Sequence, residues 1–330
     1  MKPETDALLQ MALSAHRTGR RQQAESMYRE AIRLEPRNAS ANNLLGALLL
    51  EIGKNLEALP FLRKAALHAP NYEAAQNNYG AVLYTLSKKD EPKLAREEAK
   101  AWARKQPQNK IACHWAAALG AGGKVAPTMP EELVRGTFDG FARNFDQKLA
   151  KLGYQAPRLL FEALSPHVAP PLDILDAGCG TGLMAPHLKP WARNLAGVDL
   201  SPAMIEQAKS KTLYDDLRAG ELVAYLKAHA EAFDLVAAAD VFCYLGDLGP
   251  ALAAAKGALR ARGLLAFTVE AAQDGDYTLL QSGRYAHGED YVRRLLEQSG
   301  FTLLSLARDT ARTENDQPVP CFVVVGKSMP

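Results

Sequence analysis

An apolar segment that ends in an acid and opens at once into alternating glycines narrows the folds open to this chain more than anything else in it: Leu172-Asp173-Ile174-Leu175-Asp176-Ala177-Gly178-Cys179-Gly180-Thr181-Gly182. A short apolar run of this kind reads as a buried strand, and a helix is expected from Leu183 onward. Glycines at such a strand end let the backbone turn sharply and come close to a ligand without a side chain in the way. In a doubly wound α/β sheet ligands sit at the carboxyl ends of the strands. A lone GxGxG also suits a nicotinamide or flavin protein, although those use GxGxxG to make room for a pyrophosphate.

Further strands follow in order. Leu195-Ala196-Gly197-Val198-Asp199-Leu200 ends in an acid 23 residues after Asp176, and Ser201-Pro202 opens a helix with Met204, Ile205 and Ala208. A third strand is expected before Ala219-Gly220-Glu221-Leu222, and a fourth over Phe233 and the residues up to Asp240, running into Val241-Phe242-Cys243-Tyr244-Leu245. A helix near residues 250–260, a strand near 264–269 and two end strands near 301–306 and 321–325 complete a sheet of seven.

The Asp-Ala-Gly-Cys-Gly-Thr-Gly signature with these ordered strand ends resembles class I S-adenosylmethionine-dependent methyltransferases. The resemblance implies a Rossmann-like seven-stranded domain that binds S-adenosylmethionine and releases S-adenosylhomocysteine. It implies that Asp176, Ala177, Gly178, Cys179 and Gly180 form the loop around the methionine part, and that Asp199 accepts from the ribose hydroxyls. Leu200 and Met204 would pack on the adenine, with Gly220, Glu221 and Leu222 beside its amino group. The family's usual acid there is Asp, so the longer Glu221 puts that contact in doubt. Asp240 would face the methionine amine or the acceptor, with Val241 and Phe242 as an apolar wall near the sulfonium.

The front of the chain repeats. Gly19, Ala24, Tyr28, Ala31 and Pro36 recur 34 residues later as Gly53, Ala58, Leu62, Ala65 and Pro70. The same shift carries Ala41-Asn42-Asn43 onto Ala75-Gln76-Asn77. The pattern resembles the tetratricopeptide repeat, an antiparallel helix pair closed by Pro. A third unit runs from Tyr72 to about Gln108, with Ser87-Lys88-Lys89-Asp90 where the Gly turn would be and a three-residue insertion before Pro107. One more helix is expected near residues 111–119. The domains are therefore read as 1–120 for the all-α repeats, 121–130 as a linker, and 131–330 for the methyltransferase domain with lid helices at its front. Asn42, Asn43, Asn77 and Asn78 could bond a peptide backbone along such an array; dimerisation or bracing of the second domain stands as an equal alternative.

Composition excludes little. The chain has 330 residues and a net charge of +2, with nineteen Lys and Arg against twelve Asp and Glu through residue 125 and twenty against twenty-five after it. The basic front lacks interleaved aromatics, which disfavours nucleic acid. Cys113, Cys179, Cys243 and Cys321 stand singly, with no metal-ligand spacing, so no metal is expected. No apolar run is long enough for a membrane span and no signal pattern opens the chain, so a cytoplasmic protein is expected.

Two further segments narrow the resemblance. Phe138-Asp139-Gly140-Phe141-Ala142-Arg143-Asn144-Phe145-Asp146 and Ser282-Gly283-Arg284-Tyr285-Ala286-His287 resemble a bacterial group of methyltransferases with tetratricopeptide repeats in front. That group often has Tyr where Phe138 or Phe141 stands, so hydroxyl chemistry is not available there. The Phe138, Phe141, Phe145, Leu149 spacing also suits plain core packing. Among candidate catalytic groups, His287 is the general base, Arg284 orients a carboxylate and Tyr285 donates to it; the alternative is that this cluster only caps a helix. The position after the fourth strand reads Asp240-Val241-Phe242-Cys243, not an Asn/Asp-Pro-Pro-aromatic motif, which disfavours base amines. An oxygen or carbon acceptor on a small molecule or peptide is expected. A cofactor-binding scaffold without catalysis, or a hydroxylase-like relative, are the alternatives.

Overall fold

A computed structural model describes residues 3–88, 91–314 and 316–330; the turn expected at Lys89 and Asp90 lies outside the described residues. The chain divides into two compact units, Met1–Val125 and Ala126–Pro330.

The first unit is helical: α1 (Pro3–Arg17), α2 (Arg21–Leu34), α3 (Ala39–Glu51), α4 (Asn55–His68), α5 (Glu73–Lys88), α6 (Pro92–Lys105) and α7 (Lys110–Ala118). Its recurring small residues are buried, with Ala24, Ala31, Ala58, Ala65, Ala95 and Ala99 all at 0% exposure. They let neighbouring helices approach closely. A Cβ on Gly46 would lie 2.5 Å from Leu62, and one on Gly80 would lie 2.0 Å from the Trp115 indole. Asn42 differs from the expectation of a peptide ligand: its amide donates to the carbonyls of Asn38 and Pro36, at 2.8 and 3.2 Å. Asn43 donates to the Tyr72 hydroxyl and accepts from Asn78. The amides of Asn42 and Asn43 thus make contacts within the helical unit.

The second unit begins with α8 (Glu131–Phe141), a 3-10 turn, α9 (Phe145–Lys151) and α10 (Ala156–Leu164). The parallel strands are β1 (Leu172–Ala177), β2 (Ala192–Asp199), β3 (Asp216–Ala219), β4 (Phe233–Ala238) and β5 (Leu259–Ala271). Between them run α11 (Ala185–Leu188), α12 (Pro202–Ser210), α13 (Leu222–Lys227) and α14 (Gly249–Ala258). Then come β6 (Tyr277–Leu279), β7 (Tyr285–His287), α15 (Glu289–Gln298), β8 (Phe301–Glu314) and β9 (Gln317–Ser328).

The sheet runs β3-β2-β1-β4-β5, with β9 antiparallel to β5 and β8 beyond it. That is the expected set of seven. β6 and β7 are two short additions, because β5 outruns its partner and its end at Glu270 and Ala271 pairs with Ala286 and His287. Both faces are buried, so strand residues sort by parity. Leu265, Phe267 and Val269 of β5 pack with α13, α14 and α15, while Leu264 and Ala266 pack with α10 and α11.

The expected linker is also shorter than read. The Pro127 carbonyl accepts from the N–H groups of Gly246 and Asp247, and Met129 N–H donates to the Tyr244 carbonyl. Residues 126–130 therefore belong to the second unit. Among the described residues no helix is long and apolar enough to cross a membrane.

Candidate functional site

β1 and β2 are adjacent and parallel, with Asp176 opposite Gly197 and Ala177 opposite Val198. Their ends therefore bring the glycine loop and Asp199 together. Gly178, Gly180 and Gly182 all have positive φ, at 69°, 54° and 84°, a region L side chains adopt only under strain. The backbone at Gly178 also lies close against β4's loop, since a Cβ there would stand 2.4 Å from Val241. Both Gly178 N–H and Cys179 N–H donate to the Val198 carbonyl, at 2.8 and 2.9 Å. Gly180 N–H donates to the Asp199 carboxylate at 2.9 Å, and Ser201 N–H donates to its other oxygen at 2.8 Å.

A cavity of about 410 Å³ opens over this loop, within the range of small-molecule sites. Its lining includes Asp176, Gly178, Cys179, Gly180, Asp199 and Leu200 from the first two strand ends. Gly220, Glu221, Leu222, Asp240 and Val241 line it from the third and fourth. Three residues expected beside the cofactor stand behind the wall instead. Ala177 and Met204 are fully buried, and Phe242 packs on Phe267 with ring centroids 4.8 Å apart. They shape the cavity from below. Glu221 carries a correction too: its carboxylate accepts from Val223 and Ala224 N–H and caps α13. Both oxygens are engaged by the chain's own backbone, which leaves Gly220 and Leu222 as the third strand's open surface.

Burial sets the charge states. The Asp176 carboxyl, 1% exposed, is pushed up to about 7 by burial and by the Asp199 charge, against the opposing hydrogen bond from Tyr214. That hydroxyl donates to Asp176 at 2.5 Å. Burial also raises Asp199, while the bonds from Ser201 and Gly180 pull it back. Asp176, buried, and Asp199, half-buried, are acceptors that fit the charged amino group and ribose hydroxyls of S-adenosylmethionine, and the glycine cradle that a Cβ would fill leaves room for it.

The far end of the cavity holds residues that sequence reasoning missed. Arg312 of β8, 4% exposed, donates twice to Asp240 at 2.9 Å and once each to Glu270 and Glu314 at 2.7 Å. Burial opposes its charge, and the three carboxylates more than offset that, so its pKa lies above the usual arginine range. Asp240 itself holds φ 61°, with its N–H donating to the Thr268 hydroxyl. Arg284 joins the network through Glu270 and Glu314. Among the described residues, Asp240, Cys243 and Glu270 are close enough to share a metal ion, but the Arg312 guanidinium already bonds both carboxylates. The sequence shows the parts, Glu270 at the end of an apolar strand and Arg312 and Glu314 two apart on β8, but not that they meet.

Of the three expected catalytic groups, only Arg284 lines the cavity. His287 is fully buried behind it, its Nε2 donating to the Gly246 carbonyl at 3.1 Å and its Nδ1 without a partner. Burial pushes its pKa down to about 4, against the bonds to the Gly246 and Leu245 backbone. A proton-accepting role at the cavity does not fit that position. Tyr285 is likewise buried, donating to the Ala126 carbonyl at 2.8 Å. Phe138, Phe141, Phe145 and Leu149 line the cavity, so their spacing reflects the site and not core packing alone.

Residues 175–267 match the family described as "Methyltransferase domain". Over that stretch the second unit is similar to the methyltransferase family. The matched stretch begins inside β1 and ends inside β5, so it spans the glycine loop, Asp199 and Asp240. The chain is 45% identical over 84 residues to Methyltransferase-like protein 27 of Homo sapiens, covering 24% of this chain and 34% of that protein. It is 32% identical over 135 residues to a malonyl-acyl-carrier-protein O-methyltransferase of Pseudescherichia vulneris, covering 41% and 52%. The chain thus spans between a third and about half of these relatives' length. The fold is shared with Burkholderia thailandensis 1,6-didemethyltoxoflavin-N1-methyltransferase, solved with S-adenosylhomocysteine. That likeness has a TM-score of 0.51 at 21% identity, over 63% of this chain and 93% of that one. It is shared as well with the cyclase SpnF, at a TM-score of 0.50 and 17% identity over 62% and 98%.

Proposed function

We propose that the whole chain transfers the methyl group of S-adenosylmethionine to an oxygen of a small molecule or peptide, and that its front unit is a tetratricopeptide repeat array that recruits the acceptor or a partner. The bound sulfonium supplies an already electrophilic methyl. The chain's own residues hold the reacting groups in line and exclude water. Asp199 and the loop from Gly178 to Gly180 would hold the cofactor. Phe138, Phe141 and Phe145 wall the remaining space, and Arg284, Tyr154 and Tyr244 line its polar end.

The observation that favours an oxygen is the make-up of that lining. It has Asp, Glu, Arg and Tyr side chains and, among the described residues, no His or Lys. Burial, together with the Asp240 charge for Tyr154 and the Cys243 and Asp240 charges for Tyr244, keeps both phenols protonated. Its Arg and Tyr side chains donate hydrogen bonds and its carboxylates are only weak bases, which suits an acceptor oxygen that is already acidic. The O-methyltransferase named among the relatives supports this reading.

The test incubates the full chain with methyl-labelled S-adenosylmethionine and fractionated extracts containing carboxylic acids and phenols. Label entering an O-methyl product with wild type and not with Asp199→Ala supports the reading. Label found only on nitrogen, or none at all, contradicts it. Removing residues 1–125 should weaken acceptor capture and leave cofactor affinity alone.

A further inference from the structure

The first two helices in front of β1, α8 and α9, are held over the cavity by little core packing. α9 contributes no buried residue and α8 only Leu133, the signature of a segment with low local stability. Both flanks of this segment are pinned through backbone: Met129 N–H to the Tyr244 carbonyl at 2.9 Å, Gln155 N–H to the Ala311 carbonyl and Thr313 N–H to the Leu152 carbonyl, both at 2.8 Å.

Between the pins, two aspartates make the polar attachments. Asp139 accepts from the Ser201 hydroxyl at 2.5 Å and from Ala203 N–H at 3.3 Å. Ser201 in turn donates its N–H to Asp199. Asp146 accepts from the Thr181 hydroxyl and from the Lys211 ammonium, the latter at 2.8 Å. Ser201 is 0% exposed and Thr181 2%, so the donors are shielded from water while Asp139 is exposed and Asp146 half-exposed, and a bond to a charged acceptor is stronger than a neutral one. Each aspartate directly follows a ring that lines the cavity: Phe138 and Phe145 meet edge to face with centroids 5.9 Å apart.

We infer that Asp139 and Asp146 are positioning residues for the cofactor, latching the α8–α9 segment onto Asp199 through Ser201 and onto the glycine loop through Thr181. The inference rests on the reading of this cavity as the S-adenosylmethionine site. A ligand that fixes Asp199 and the loop stabilises the latched segment, and by reciprocity the latch tightens the ligand's binding; with association unchanged, that gain is read as slower release.

The test uses the full chain with S-adenosylhomocysteine as the probe. Asp139→Ala and Asp146→Ala should each release it roughly tenfold faster through the loss of that aspartate's two bonds, with association rates little changed. Amide exchange over residues 131–151 should slow when the probe binds wild type, and slow less in the variants. Asp139→Asn, which keeps an oxygen for Ser201, should restore slow release. Thr181→Val removes the second latch from the opposite side and carries the test if an aspartate variant does not fold. Release at the wild-type rate from the folded variants overturns the latch while leaving the cofactor site intact. Failure of wild type to bind the probe at all overturns the site and the latch together.

Discussion

Gly180 donates its backbone N–H to the Asp199 carboxylate at 2.9 Å, so the glycine loop of β1 and the acid at the end of β2 form one hydrogen-bonded unit. The bond exists because parallel pairing sets the two strand ends side by side and because Gly180, at φ 54°, turns its N–H across the gap. Replacing Asp199 with Ala removes a ligand for the sugar and frees the loop. Titration calorimetry with S-adenosylhomocysteine should show an affinity loss of at least about tenfold, some 1.4 kcal/mol. Wild-type affinity in that variant would mean that the sugar is held elsewhere.

Gly178→Ala should destabilise the protein by about 1–3 kcal/mol, from the positive φ and from the collision with Val241. Adding Val241→Ala relieves the collision and not the φ. Thermal melting should therefore show a partial recovery in the double variant; full recovery would show that the backbone conformation carries no cost.

Asp176, raised to about 7, gives the protein a pH dependence of definite sign. A carboxyl whose folded pKa lies above its unfolded value of 3.8 favours folding at low pH, and that contribution is lost as pH rises from about 4 to 7. Asp176→Asn, which keeps an oxygen for Tyr214, should raise the melting temperature at pH 8 more than at pH 5. An equal gain at both values would show that the carboxyl titrates normally.

His287 runs the other way. Its folded pKa of about 4 lies below the ordinary 6.5, so its contribution is present above pH 6.5 and is lost as pH falls toward 4. His287→Gln should flatten that acid limb of the stability curve and leave S-adenosylhomocysteine affinity unchanged. A changed affinity would place the ring at the cavity after all.

Arg312 neutralises Asp240, Glu270 and Glu314 in a buried setting. Arg312→Ala leaves Asp240 without its cation and Glu270 and Glu314 with Arg284 alone, and should cost about 3–5 kcal/mol by denaturant unfolding. The same variant frees Asp240, Cys243 and Glu270, so added Zn²⁺ should raise its melting temperature and not that of wild type. Equal Zn²⁺ responses in the two proteins would show that the guanidinium does not occupy the place of an ion.

The strand order around the glycine loop was legible because each strand end carries its own marker: Asp176 before the glycines, Asp199 before Ser201-Pro202, Asp240 at the close of an apolar run. These signals are local, and local spacing is what a sequence displays. The Arg312 network was not legible, since Asp240 and Arg312 are 72 residues apart and meet only when β9 returns antiparallel beside β5 and carries β8 with it. His287 misled for a similar reason. Its cluster of polar neighbours suggested an exposed site, but β7 adds to the end of β5 and turns the ring into the interior. Asp139 and Asp146 look in the sequence like the solvent side of an amphipathic helix, and only the folded chain shows that they meet Ser201 and Thr181.

Everything rests on the cavity over Gly178, Gly180 and Asp199 taking S-adenosylmethionine. The most direct measurement is calorimetric titration of the full wild-type chain with S-adenosylmethionine and its demethylated product. The account expects saturable binding of one molecule per chain at micromolar concentration for both, and no heat of binding up to millimolar ligand would contradict it.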